Sequence, residues 1–143
     1  MRKITLRPAV PGEEARWLFW DHHLPRERFR ELTETGRALW ICGGEEKAGL
    51  LRWGYFWDEI PFLNLIWLHE SCREEGAGRA AMALWEDSLR KAGCRAAMTS
   101  TQADEGAQHF YRKLGYRDTG SLILTLPGFE QPTELILIKL LTG

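Results

Sequence analysis

The sequence predicts a mixed α/β fold built on a central sheet, in the order β-α-α-β-β-β-α-β-α-β-β. Three observations carry that expectation. Short apolar runs, several of them alternating at a period of two, recur between Gly and Pro breaks and read as strands. Amphipathic stretches at three- and four-residue spacing fall between those runs. And the stretch from Leu65 to Gly93, LIWLHESCREEGAGRAAMALWEDSLRKAG, passes from an apolar run through a polar, glycine-bearing loop into a long helical pattern.

In order, Lys3 to Pro8 alternates weakly, with Ile4 and Leu6 apolar, and ends at Pro8 and Pro11 as a first strand. Glu13 to Trp20 and, after Pro25, Arg26 to Thr33 read as two short amphipathic helices, the second stopped near Gly36. Ala38 to Cys42 and Ala48 to Trp57 are strand-like runs joined by the hairpin signal Gly43-Gly44-Glu45-Glu46. The second of these places Trp53, Tyr55 and Trp57 on one face. Pro61 to Leu68 continues an antiparallel meander. The long helix is expected to bury Ala77, Ala81, Leu84, Trp85, Ser88 and Ala92, with Arg90 and Lys91 in its last turn and Gly93 closing it. A strand from Arg95 to Ser100, a short helix, and strands over Asp118 to Leu126 and Glu134 to Leu141 complete the chain, the last two parted by Pro127-Gly128 and Pro132.

A length of 143 residues suits one domain, 1–143, large enough to bury a core. Hydrophobic residues make up 44% and charged residues 27%, with a formal net charge of −1, so no basic excess points to nucleic acid. Cys42, Cys72 and Cys94 form no CxxC pair, and no signal-peptide pattern or membrane-length apolar run is seen, which reads as a cytoplasmic protein with reduced thiols and no membrane partner. His22, His23, His69 and His109 lack metal-ligand spacing, and no metal site is expected.

The loop Arg73-Glu74-Glu75-Gly76-Ala77-Gly78 opens the long helix, where the first N–H groups lack internal partners and the peptide dipoles favour an anion. Glycines let the backbone approach a diphosphate closely or adopt positive φ. Three phosphate-binding patterns compete. A nucleotide P-loop requires Gly-Lys-Ser/Thr, whereas Gly78 is followed by Arg79 and Ala80. A dinucleotide fingerprint matches in letters, Gly76-Ala77-Gly78-Arg79-Ala80-Ala81, but its strand ends early, near Leu68, and no acid closes the next strand. The third pattern is arginine or glutamine, two residues, glycine, one residue, glycine or alanine, which fits at every fixed position; here the chain resembles the GNAT superfamily of N-acetyltransferases, in which this loop grips the pyrophosphate of coenzyme A. A second stretch, Asp104-Glu105-Gly106-Ala107-Gln108-His109-Phe110-Tyr111-Arg112-Lys113-Leu114-Gly115-Tyr116, matches a further GNAT motif except that Asp104 stands where asparagine is usual. On its own residues it reads as an N-cap at Asp104, an apolar stripe of Ala107, Phe110 and Leu114, and a stop at Gly115.

The resemblance implies the GNAT fold, with the strands at Leu65–Leu68 and Arg95–Ser100 parallel neighbours that splay apart, and acetyl-coenzyme A (acetyl-CoA) in the opening. It implies main-chain groups of Trp67 and Leu68 along the pantetheine arm, the Leu68 N–H at the developing oxyanion, N–H groups from Glu74 through Arg79 (Glu74, Glu75, Gly76, Ala77, Gly78, Arg79) on the phosphates with Arg73 assisting, Asp104 in the asparagine place, and Tyr111 beside the sulfur. A neutral tyrosine hydroxyl with pKa near ~10 can protonate a departing thiolate. An alkyl ammonium of pKa ~10.4 is neutral in only about one molecule in a thousand at pH 7, so a base or an apolar pocket must help. Many members carry a glutamate six residues before the Leu68 position; this chain has Phe62 there, with Asn64 nearby, and His69, Glu70, Asp58 and Glu59 as alternatives.

The expected acceptor is a small-molecule or peptide amine. Trp17, Trp20, Phe29, Trp53, Trp57 and Trp67 lie on elements that border the acceptor cleft in the resembled fold, though core packing explains most of them. Glu74 and Glu75 sit awkwardly beside a polyanion, so a non-catalytic acyl-CoA-binding module with the same fold is the alternative. A monomer or a homodimer is expected; an exposed strand edge near Glu134 to Leu141 would allow the dimer, and core packing explains the same apolar strand equally well.

Overall fold

The computed structural model describes residues 3–73 and 76–142. Strands β1 (Ile4–Pro8), β2 (Ala38–Gly43), β3 (Glu46–Phe56), β4 (Ile60–Leu68), β5 (Ala96–Gln102), β6 (Arg117–Leu122) and β7 (Glu134–Leu140) form one sheet in the order β1-β2-β3-β4-β5-β7-β6. Helices α1 (Glu14–Trp20), α2 (Arg26–Glu34), α3 (Ala77–Lys91) and α4 (Ala107–Lys113) lie between strands as the sequence predicts, and a 3-10 turn at Glu70–Cys72 follows β4. No helix among the described residues is long and apolar enough to cross a membrane. Contacts divide the chain into two compact units, one running to Gly54 and resuming over Leu65–Trp85, the other comprising Tyr55–Asn64 and the chain from Glu86 onward.

In the first unit β1 pairs antiparallel with β2 and β2 with β3, the latter through the expected hairpin at Gly44, whose φ is +64°. Trp17 of α1 and Phe29 and Leu32 of α2 are buried with Trp40 and Leu50 of the sheet. The aromatic rings meet tilted or edge-on, Trp17 4.9 Å from Trp40 and 5.4 Å from Phe29, a geometry the ring quadrupoles favour. Beneath α1 the buried Asp21 accepts from Arg52 Nε at 2.7 Å and from the Trp17 indole N–H at 3.1 Å, so its charge is both paired and hydrogen-bonded.

In the second unit β5 pairs along its whole length with β7, and β7 with β6. Residues 134–140 therefore lie inside the sheet and not at an edge, which overturns the expected dimerising strand; β6 is the edge. β7 has a hydrogen-bonded neighbour on each side and buries Leu137, while Leu140 at its end is exposed. β6 stops at Leu122, four residues before its expected end at Leu126. The β3–β4 hairpin turns at Trp57 and Asp58, both at φ 56°, with Glu59 N–H donating to the Phe56 carbonyl at 3.1 Å. This left-handed pair takes Trp57 out of the strand and leaves it 78% exposed, so it does not share a face with Trp53 and Tyr55 as its spacing predicts.

α3 buries Ala77, Gly78, Ala81, Met82, Trp85, Glu86 and Leu89, whereas Leu84, Ser88 and Ala92 are exposed. In an alanine-rich helix two overlapping stripes satisfy the three-four spacing, and the larger volumes of Met82, Trp85 and Leu89 decide which is buried. Glu86 belongs to this hidden face. Its carboxylate accepts from the Tyr116 hydroxyl at 2.8 Å and from Lys139 Nζ at 2.6 Å. Burial first, and then the Glu86 charge, hold the Tyr116 phenol far above its ordinary range. Glu86→Ala is expected to cost about 3 kcal/mol in chemical denaturation, the low end for breaking a buried pair, since the Lys139 side chain keeps 21% exposure. Adding Lys139→Met should recover part of the loss, and additive costs would mean the pair is not coupled.

Candidate donor-binding and catalytic site

In the first unit β4 ends against β3, where His69 N–H donates to the Ala48 carbonyl at 2.8 Å. The strands touch closely there. A Cβ on Gly49 would lie 2.1 Å from the Trp67 carbonyl oxygen and 2.9 Å from Leu68 Cα, so only glycine lets β4 lie in this place. The chain then turns through the 3-10 segment, whose first N–H groups are taken by His69: its ring Nδ1 accepts from Ser71 N–H at 3.3 Å and lies 2.9 Å from Ser71 Oγ, and its carbonyl accepts from Cys72 N–H at 2.8 Å. Cys72 is buried beneath the turn.

Arg73 Nε donates to the Leu68 carbonyl at 2.9 Å, and its guanidinium lies 5.9 Å from the Trp67 ring centre. The predicted phosphate arginine thus buttresses the end of β4. Glu74 and Glu75 lie outside the described residues. Gly76 has φ +75°, a conformation that an L side chain adopts only with strain, although a Cβ there would meet no atom within 4 Å. Its carbonyl accepts from Ala80 N–H at 3.1 Å, the first bond of α3. Among the described residues no backbone carbonyl outside the helix is paired with the N–H groups of Ala77, Gly78 and Arg79, which stand at the end of α3 that favours an anion.

The second unit carries Tyr111 as the buried residue of α4. Burial is the largest influence on its hydroxyl and raises its pKa; the Glu105 charge acts in the same direction and a hydrogen bond with Thr99 partly opposes it. Thr99, itself buried, donates from Oγ1 to the Leu63 carbonyl at 3.1 Å and stands opposite Leu63 in the parallel β4–β5 ladder, whose pairs are Phe62 with Met98 and Leu63 with Thr99. Tyr111 is thereby tied to the paired end of the two strands. Sequence reasoning missed Thr99. The signal was present, since a hydroxyl within the apolar run Ala97-Met98-Thr99 needs a partner once buried.

Asp104 does not cap α4. The cap position is Gly106, without a side-chain bond, and the turn before it is held by Gln108, whose Nε2 donates to the carbonyls of Ala103 at 2.8 Å and Glu105 at 2.9 Å. This amide donates to the carbonyls of the turn and does not accept from the helix N–H groups as the expected carboxylate would. Ala107 is exposed and Phe110 and Leu114 are half-buried, so the apolar side of this short helix centres on Tyr111.

The sequence model described as the acetyltransferase (GNAT) family matches residues 8–116. The chain belongs to the GNAT acetyltransferase family. No curated protein sequence matches it. Among solved structures, this GNAT chain is similar to Ard1 from Thermoplasma volcanium, with 14% identity, TM-score 0.82, and 98% of this chain and 99% of that one covered. It is similar to a Bacillus subtilis acetyltransferase in complex with CoA, with 18% identity, TM-score 0.73, and coverage of 99% and 100%. A GNAT family acetyltransferase from Elizabethkingia anophelis with acetyl-CoA bound gives 18% identity, TM-score 0.71, and coverage of 96% and 97%. These likenesses establish the fold.

For this GNAT chain the base candidates are scattered. Phe62, at the position of the usual glutamate, stacks on Phe56 with ring centres 6.2 Å apart, and Asn64 is exposed. Asp58 and Glu59 sit in the turn that precedes β4, while His69 and Glu70 follow its other end. The tryptophans divide in a similar way. Trp17 and Phe29 are core; Trp20 and Trp67 are half-buried, their rings 4.8 Å apart, with the His69 ring 6.0 Å from Trp20; Trp53 lies 5.9 Å from Trp85.

Proposed function

We propose that the protein transfers an acetyl group from acetyl-CoA directly to the primary amine of a small molecule or peptide in a ternary complex. The observation that carries this reading is the end of α3 in a GNAT chain: a glycine at φ +75° whose carbonyl takes the Ala80 N–H opens the helix at the place where the family motif puts the pyrophosphate. The N–H groups of Glu74 through Arg79 hold the phosphates, and Arg73 acts by bracing the loop against β4 as well as by its charge. Main-chain groups of Trp67 and Leu68 pair with the pantetheine arm as an added strand would. Asp104 takes the place of the family asparagine near the donor.

In the reaction the neutral amine attacks the thioester carbonyl, a carbon–nitrogen bond forms, the carbon–sulfur bond breaks, and the nitrogen releases a proton to solvent, from which the Tyr111 hydroxyl is restored. The Leu68 N–H stabilises the oxyanion on the way, and Tyr111 gives its proton to the departing thiolate. Burial supports the second role, because a raised pKa keeps the phenol protonated at neutral pH. The test is release of free CoA thiol with a panel of small amines, amino acids and short peptides. Thiol release that depends on the acceptor supports transfer. Tight acetyl-CoA binding without acceptor-dependent release from any of them would establish the non-catalytic module instead.

A further inference from the structure

We infer that the first unit carries a binding site for a small carboxylate with a flat aromatic body, beside α1. A cavity of about 460 Å³ opens there, lined by Ala15, Arg16, Phe19, Trp20, Trp40 and Lys47. A second cavity of about 270 Å³ shares Trp20 and Lys47 with it. The larger one falls in the size range of small-molecule sites, which combine apolar walls with a few placed polar groups.

The lining is selective by its chemistry. Ala15 and Phe19, and Arg16 and Trp20, are four apart and share one face of α1, with the alanine leaving room between its larger neighbours. Phe19 is 74% exposed, an apolar surface open to water. Across from it the half-buried Trp20 ring stands edge to face with the buried Trp40, their centres 6.2 Å apart, and offers an aromatic surface held in place from behind. The two charged groups in this wall, Arg16 and Lys47, are both cations. Lys47 Nζ is fixed 3.7 Å from Glu13 and 4.9 Å from the Trp40 ring centre, with its side chain 13% exposed. Glu13 does not line the cavity, and its carboxylate is occupied by the Val10 N–H, the Trp40 indole N–H, Arg7 and Lys47. Arg16 makes no ion pair among the described residues, so its guanidinium is free to take a carboxylate through two parallel N–H bonds. Aromatic walls alone would also admit a cation. Two lining cations and no lining acid decide for an anion.

Calorimetric titration of the whole protein, without acetyl-CoA, tests this with 2-naphthoate, its neutral alcohol 2-naphthalenemethanol, and the cationic 2-naphthylmethylamine. Naphthoate should bind at least about tenfold more tightly than either analogue, the size of one charge-assisted contact. Arg16→Gln should remove most of that preference, and Ala15→Trp, an exposed helix position, should abolish binding by filling the cavity. Acetyl-CoA affinity, measured on the same variants, should not change, so failure here is distinguishable from failure of the acetyltransferase reading. Equal binding of the three probes, no naphthoate binding in the millimolar range, or binding that survives both substitutions would overturn the proposal.

Discussion

Gly49→Ala unfolds at markedly lower denaturant than the parent protein and loses acetyl-CoA affinity together with stability. The added methyl would sit 2.1 Å from the Trp67 carbonyl oxygen and 3.0 Å from Leu68 Cδ2, and the first of these is main chain that cannot rotate away. Relief requires β4 to move off β3 where His69 N–H meets the Ala48 carbonyl. Overpacking of this kind lies at the upper end of its range, about 3 kcal/mol, a large part of the stability of a domain this size. Because Trp67 and Leu68 are the proposed main-chain partners of the pantetheine arm, the displacement reaches the donor as well. Parent-like denaturation with parent-like donor affinity would show that β4 does not lie against Gly49 in this way.

Tyr111→Phe lowers turnover by about a hundredfold, the lower end for loss of a general acid, while acetyl-CoA affinity stays within a factor of about two. The change removes only the hydroxyl. Steady-state rates paired with calorimetry separate the two effects, and unchanged turnover would remove Tyr111 from the mechanism. The sign of its pKa shift adds a second readout. Burial raises the phenol, so the acid form persists above its ordinary range, and kcat should show no loss of this proton below about pH 10. Thr99→Val is the companion variant: it removes the hydroxyl that links Tyr111 to the Leu63 carbonyl, and should lower kcat with little change in donor affinity.

What the sequence made legible was whatever local periodicity and backbone chemistry determine. Every strand and helix was present in its predicted order, and Gly76 has the positive φ that its loop position suggested. Strand order was not legible for β7, because an apolar run reads alike at an edge and in the interior; only its pairing with both β5 and β6 distinguishes them. The face of α3 was misjudged for a related reason, since an alanine-rich helix satisfies two neighbouring stripes and Glu86 looks like solvent-facing charge until Tyr116 and Lys139 arrive from distant segments. Asp104 resembled a cap by residue type, but the cap position is Gly106, and Gln108 holds the preceding turn by donating to its carbonyls. Trp57 followed the strand alternation up to the point where the backbone reversed at φ 56°. Thr99 needed knowledge of its partner across the sheet, which no local pattern contains.

The glycine-opened end of α3 is the proposed seat for the donor's pyrophosphate. Titration of acetyl-CoA into the parent protein and into a Gly76→Val, Gly78→Val variant, followed by calorimetry with circular dichroism as a check on folding, tests it most directly. The parent should bind, and the folded variant should give no measurable heat. Binding of acetyl-CoA by the folded variant with parent affinity would contradict the assignment and place the donor elsewhere.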